Sequence, residues 1–182
     1  MRIAVSGSHG TGKSTLIAAF LGRRPDYRHQ PEAFETLGDD VELTESGEPT
    51  PEGLQVLLDY TVAAVESHAA GACVVFERSP ADYLAYAAAI RSGSASTLVP
   101  AVRAAVRHLD LIAYLPVSSG GPIQGRPDED ARFRIRVDEW LRRILLDDEY
   151  DLFGAGGSAT VVELPAQPAR QLAELVRVAA AE

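Results

Sequence analysis

Lysine is almost absent from this chain: Lys13 is the only one, and every other basic side chain is arginine. Cysteine is equally scarce. Cys73 has no partner for an intramolecular disulfide, and cysteine-based zinc sites lack their ligands. Its setting, Ala72-Cys73-Val74-Val75-Phe76, reads as a buried, inert thiol. The histidines His9, His29, His68 and His108 are scattered without metal-ligand spacing. No apolar run approaches the ~20 residues of a membrane span, so no membrane partner is expected. Positive charge is also in deficit. The formal net charge of −9 argues against a broad surface for extended nucleic acid or anionic lipid, while leaving room for a local arginine cluster around a small phosphorylated ligand. The first apolar run starts at Ile3, which leaves no space for a signal or transit peptide and sets the expectation of a cytoplasmic location. At 182 residues the chain is expected to form a single domain, residues 1–182.

What the chain does contain is Gly7-Ser8-His9-Gly10-Thr11-Gly12-Lys13-Ser14, which fits the phosphate-binding pattern G-x-x-x-x-G-K-[ST] without mismatch. The apolar Ile3-Ala4-Val5 precedes it, and a helix-like run from Thr15 to Phe20 follows. Glycines let the backbone take turns that side chains forbid, so successive N–H groups can converge on phosphate oxygens. Ser8, His9, Gly10, Thr11, Gly12, Lys13, Ser14 and Thr15 are therefore the expected nucleotide-binding residues. Lys13 supplies a point charge for the terminal phosphates and Ser14 a hydroxyl for Mg²⁺. The helix begun at Lys13 aims its positive dipole end at the same anion. Lysine is retained at the one position where arginine's planar fork is no substitute.

Beyond the loop the chain alternates strands and helices. Tyr27 to Gln30 reads as a short second strand, and Pro31 to Thr50 as a long polar, acidic connection. Thr50-Pro51 supplies an N-cap and an N1 proline for a helix to about Ala70, with Leu54, Leu57, Leu58, Thr61, Val62 and Val65 at helical spacing. The continuous apolar run Ala72 to Phe76 suits a central parallel strand. A helix from Ser79-Pro80 to Ile90, another from Thr97 to His108, and a fourth strand from Leu111 to Leu115 follow. Glycine and proline crowd residues 117–128. The chain then offers an amphipathic helix from Asp130 to Leu146, with Phe133, Val137, Trp140, Leu141, Ile144 and Leu145 inward, a fifth strand from Thr160 to Leu164, and a helix from Pro168 to Ala181. This alternation predicts an α/β sandwich of three layers around a mostly parallel five-stranded sheet.

Ligands of open parallel sheets sit beyond the carboxyl ends of the strands. Glu77 closes its strand at that edge and is the expected second Mg²⁺ ligand beside Ser14, whereas Asp110 opens a strand at the opposite edge and is expected only to cap or be solvated. From Glu77 the segment Glu77-Arg78-Ser79-Pro80-Ala81-Asp82-Tyr83-Leu84-Ala85-Tyr86 resembles the "E/D-R-S, then D-Y-L-A-Y" stretch of P-loop small-molecule kinases. These are the deoxynucleoside kinases and the ribosylnicotinamide-kinase-like group of AAA-type ATP-binding domains. The resemblance implies ATP and Mg²⁺ as cofactors, Glu77 and Arg78 facing the metal and the transferred phosphate, and a carboxylate after the second strand facing the acceptor hydroxyl. Glu32 fits that last position better than Glu35. It also implies an arginine-bearing helical lid at about residues 117–136, with Arg126 on the nucleotide and Arg132 and Arg136, which share a helix face, acting in catalysis alongside Lys13, Glu32 and Arg78. Arg134 points away from that face and reads equally well as a surface charge. Tyr83, Tyr86 and Trp140 could stack on an acceptor ring or simply belong to the core. Pro165-Ala166 fits the family's backbone contact to adenine.

Several phosphate-loop classes are excluded. A guanine-reading N-K-x-D motif needs a second lysine. Ser118 to Gly121 superficially matches a transporter-ATPase signature, but Pro122 follows it and no Walker-B strand comes after. The acidic pair of ring-forming motors is missing. The leading expectation is transfer of the γ-phosphate of ATP to a small acceptor, a nucleoside or nucleotide by preference. Two others stay open: a nucleotide-binding or slowly hydrolysing regulatory module acting through protein contacts, and a kinase of some other metabolite alcohol. A homodimer is compatible with the sequence, which does not fix the oligomeric state.

Overall fold

The computed structural model describes residues 1–44, 47–90, 95–117, 131–154 and 159–180, the Asp39 side chain apart. Five strands form one sheet: β1 (Arg2–Ser6), β2 (Arg28–Gln30), β3 (Val74–Glu77), β4 (Leu111–Tyr114) and β5 (Thr160–Glu163). Their order is β2-β3-β1-β4-β5, and every pairing is parallel. Parallel neighbours require crossovers, which the helices provide: α1 (Lys13–Arg23), α2 (Ala33–Leu37), α3 (Pro51–Ser67), α4 (Pro80–Ile90), α5 (Ala95–Val106), α6 (Ala131–Leu145) and α7 (Pro168–Val178).

The two-residue alternation of side chains splits the core. Ile3, Val5, Val75, Leu111 and Ala113 face α1 and α7, where Leu16, Ile17, Phe20 and Leu175 are buried. Ala4, Val74, Phe76, Ile112 and Tyr114 face the opposite layer, packed against α3, α4, α5 and α6. Continuous apolar strands are what a sheet covered on both sides demands, and each fully buried Leu, Ile or Phe contributes about 1.5–3 kcal/mol. Helix α4 is enclosed by its neighbours, every residue from Pro80 to Ala89 being buried. Thr50 caps α3 by accepting the Gly53 N–H at 3.1 Å, with Pro51 at the first helical position.

The segment from Pro31 to Thr50 is more ordered than a polar loop. It holds α2, a 3₁₀ turn over Gly38–Asp40, and an antiparallel bridge between Leu43 and Pro49. Ala33 and Val41, both buried, and the partly buried Leu37 anchor it to the core, so three apolar residues suffice to fix an otherwise acidic stretch. Two other expectations are corrected. Cys73 is only half-buried, lying before β3 rather than within it. Trp140 borders the buried stripe of α6: it is only partly buried against the core and stacks on Tyr150 with ring centroids 6.4 Å apart and the Arg143 guanidinium 4.2 Å away.

Candidate functional site

β1 lies in the middle of the sheet, so the loop that leaves it emerges at the crevice between β3 and β4. Gly12 is the N-cap of α1 with φ +93°, a left-handed conformation that disfavours any side chain. At Gly7 the constraint is contact: a Cβ there would meet the Leu115 carbonyl oxygen at 2.6 Å. Inside the loop, Lys13 Nζ and the Thr11 hydroxyl both donate to the Ser8 carbonyl at 2.9 Å, curling the chain around the position of an anion. Burial, and then the nearby Arg78 guanidinium, lower the Lys13 ammonium to about 8.

A cleft of about 630 Å³ opens above the loop. His9, Gly10, Thr11, Gly12, Lys13, Ser14 and Thr15 form its floor. Ser8 is fully buried behind that floor, where it shapes the loop. Leu16 and Ala19 of α1, with Ala166, Pro168, Ala169 and Leu172 at the start of α7, make an apolar end of the cleft. The sequence pointed to Ala166 only through resemblance, and gave no signal for the α1 and α7 residues.

The opposite end is ionic. The Ser14 hydroxyl donates to Glu77 Oε1 at 2.7 Å, and His29 Nε2 lies 3.6 Å from Glu77 Oε2. A hydroxyl and a carboxylate within one bond of each other, beside a phosphate cradle, fit Mg²⁺, which takes one or two protein oxygens and completes its shell with phosphate and water. Among the described residues no group of three or more His, Cys, Asp and Glu side chains could hold a metal alone.

Arg78 follows β3 with φ +74°, a strained value for a residue with a side chain. Its N–H still donates to the Val5 carbonyl, extending the β1–β3 ladder, while its guanidinium turns into the cleft. Nε donates to Glu32 Oε1 in a short ion pair, Nη1 to the Gly7 carbonyl at 3.0 Å and to Asp82 Oδ1 at 3.4 Å, and the Tyr86 ring lies 5.1 Å from the guanidinium carbon. Burial would push the Glu32 carboxyl up, but the charges of Arg78 and Lys13 outweigh it and hold the group below its ordinary value.

Asp82 is the residue that the sequence reading missed. It is fully buried and accepts four hydrogen bonds: from the Gly7 N–H at 3.0 Å, the Ser79 N–H at 2.9 Å, the Ser79 hydroxyl at 3.0 Å, and Arg78. Its signal was the capping-box spacing Ser79-Pro80-Ala81-Asp82, in which the third helical residue reaches back to the N-cap. The cap is shared with the phosphate loop, so one carboxylate joins the entrance of the loop to Arg78.

Of the expected lid arginines, three lie within the described residues. Arg134 lines the cleft and donates from Nη2 to the Gly10 carbonyl at 3.2 Å, while its own carbonyl accepts the Ser8 hydroxyl at 3.1 Å. Arg132 and Arg136 are not on the cleft wall; the Arg136 guanidinium sits 5.4 Å over Phe133. Of the two readings open for Arg134, it is the contact with the phosphate loop that is seen among the described residues. Arg126 and residues 118–130 of the expected lid lie outside the described residues. Asp110 pairs with Arg2 at 3.0 Å on the far edge, as a structural group. Tyr83 and Tyr86 are buried, and the Tyr86 hydroxyl lies 3.3 Å from His9 Nδ1.

The model of an AAA domain family, AAA_28, matches residues 2–158. The chain belongs to that family. Among solved structures it is similar to deoxyadenosine kinase from M. mycoides with bound dATP, with a TM-score of 0.62, 15% identity, and 99% of this chain and 100% of that one covered. It is also similar to thymidylate kinase from Candida albicans, with a TM-score of 0.67, 10% identity, and coverage of 97% and 89%. A third match is the NadR protein in complex with NR, with a TM-score of 0.63 and 21% identity; it covers 90% of this chain but 43% of that longer one. No curated protein sequence matches. The AAA_28 chain therefore has the fold of P-loop nucleoside and nucleotide kinases.

Proposed function

We propose that this AAA_28 protein is a kinase that transfers the γ-phosphate of ATP to a small acceptor, a nucleoside or nucleotide by preference. One observation carries the reading: Glu32, from the segment after β2, is bonded to Arg78, from the end of β3, within the same cleft as Lys13 and the phosphate loop. A carboxylate to orient an acceptor hydroxyl and an arginine to offset charge on a transferred phosphoryl group are what such transfer asks for, and the pair stands beside the phosphate loop. The fold shared with deoxyadenosine kinase and thymidylate kinase supports the choice of acceptor.

In this reading the loop N–H groups and Lys13 hold the β- and γ-phosphates, and the apolar end between α1 and α7 takes the adenine. Ser14 and Glu77 would hold Mg²⁺, which neutralises phosphate charge. Glu32 accepts a hydrogen bond from the acceptor O–H and aims its oxygen at the γ-phosphorus. As the new O–P bond forms and the bond to the β-phosphate oxygen breaks, the acceptor proton passes to the Glu32 carboxylate. Because that carboxylate is a weak base, its main contribution is orientation, as suits a loose transition state in which the proton leaves late. Arg78 and Arg134 offset charge on the transferring group. A single chain contains all of these groups, and no described helix is long and apolar enough to cross a membrane.

The test is a mass-spectrometric screen of pooled nucleosides, nucleotides and metabolite alcohols with Mg²⁺ and ATP. The expected result is one acceptor class gaining a phosphate, with Lys13→Ala losing that product. Product formation undiminished in Lys13→Ala, or none in any pool with the intact protein, refutes the proposal.

A further inference from the structure

Helix α4 sends two side chains to the phosphate loop, and both also meet Arg78. Asp82 and Tyr86 are four residues apart and share one face of the helix. Asp82 accepts from the Gly7 N–H, at the entrance of the loop, and from Arg78 Nη1. One turn further on, the Tyr86 hydroxyl meets His9 Nδ1 at 3.3 Å, beyond that entrance, while the Arg78 guanidinium carbon lies over the Tyr86 ring, 5.1 Å from its centroid. Burial pushes the Tyr86 phenol up, so it keeps its proton. The same ring meets Phe133 of α6 edge-on at 5.8 Å, one residue before the Arg134 that bonds the Gly10 carbonyl.

Tyr86 thus joins the loop that would hold the donor phosphates to the guanidinium that would face the transferred one. The helix that carries it is buried from Pro80 to Ala89, and close-packed elements transmit a displacement rather than absorb it. Arg78 itself sits at φ +74°, a conformation that persists only where the surroundings hold it. Its side chain is fixed by Glu32, the Gly7 carbonyl and Asp82 in the plane of the guanidinium, and by the Tyr86 ring against its face.

We infer that Tyr86 is a positioning residue: its hydroxyl holds His9 while its ring supports Arg78, and the two contacts together set where the guanidinium stands relative to the donor phosphates. The inference rests on the kinase reading above and adds to it a residue that acts through Arg78 and the loop rather than on the nucleotide.

The experiment is steady-state kinetics with Mg²⁺, ATP and the acceptor found in the pooled screen. Tyr86→Phe keeps the ring against Arg78 and Phe133 and removes only the hydroxyl. Its kcat is expected to fall about 10- to 100-fold, as for a small misplacement at the reacting centre, with the KM for ATP within about twofold of the intact protein. His9→Ala should lower kcat by a similar factor, and the double variant should be no slower than the slower single one, because both changes remove the same contact. His9→Asn, whose amide oxygen can take the place of Nδ1, should recover most of the turnover that His9→Ala loses. A kcat unmoved by Tyr86→Phe, losses that multiply in the double variant, a KM for ATP that rises in step with the fall in kcat, or no recovery in His9→Asn overturns the inference while the kinase reading stands. An intact protein that phosphorylates no acceptor overturns both.

Discussion

On the donor side of the cleft, the groups that would meet phosphate fall within the consecutive residues His9 to Thr15, and most of them are backbone N–H groups held by two glycine-dependent turns. On the acceptor side, Glu32, Arg78 and Asp82 come from α2's N-cap, the residue after β3 and the first turn of α4, and they are joined by ion pairs between segments far apart in the chain. The first wall is contiguous in sequence. The second exists only when the sheet is assembled, because β3 must lie between β2 and β1 before Glu32 can reach Arg78 and Asp82 can reach Gly7.

The difference can be broken by substitution. The largest effect on turnover is expected for Glu32→Gln, which keeps shape but removes the acceptor-side charge: kcat should fall about 10²–10⁴-fold with ATP binding nearly intact. Steady-state kinetics with a fluorescent ATP analogue checks both numbers. A fall in ATP affinity matching the fall in kcat would show that the walls are not separate.

A stability effect follows at Asp82. Removing one partner from a buried ionic network costs about 3–5 kcal/mol, so Asp82→Ala should unfold at markedly lower denaturant concentration. Asp82→Asn, which can still accept the Gly7 N–H, should lose less. Equal losses in the two variants would mean that the hydrogen bond to the loop contributes nothing.

The smallest change in stability of the ligand-free protein is expected at Lys13, and it carries a pH signature. The Lys13 ammonium titrates at about 8 in the fold against 10.5 when exposed. Between those values the unfolded chain holds the extra proton, so the ligand-free protein gains stability as pH rises through that window. Below pH 8 the buried charge is a net cost of about 3 kcal/mol. Lys13→Met should therefore raise the melting temperature of the ligand-free protein at pH 7 by about 6–12 °C, flatten the rise above pH 8, and abolish the stabilisation given by ATP. A lower melting temperature at pH 7 would contradict the account of its burial.

How much of this was legible in the sequence follows from the same contrast. The phosphate loop, the parallel sheet and the strand-end position of Glu77 could be read because each depends on a few neighbouring residues and a period. Glu32 was reachable only by resemblance, since one acid in the acidic stretch Pro31 to Thr50 looks like any other until α2 fixes it. Asp82 carried a capping signature but no sign that Gly7 would share it, because that contact spans 75 positions. The arginines of α6 show the limit most clearly. Helical spacing put Arg134 on a different face from Arg132 and Arg136, but nothing in the spacing said that Arg134 would bond to the loop. Tertiary packing decided that, through Phe133 and Val137 turned into the core.

The central claim is that the two walls serve one event, the passage of a phosphoryl group across the cleft. The most direct measurement is phosphorus NMR of Mg²⁺–ATP turning over with a nucleoside from the active pool. The account predicts one phosphorylated nucleoside for each ADP formed, with inorganic phosphate lagging far behind. ADP matched by inorganic phosphate, with no phosphorylated acceptor, would contradict it.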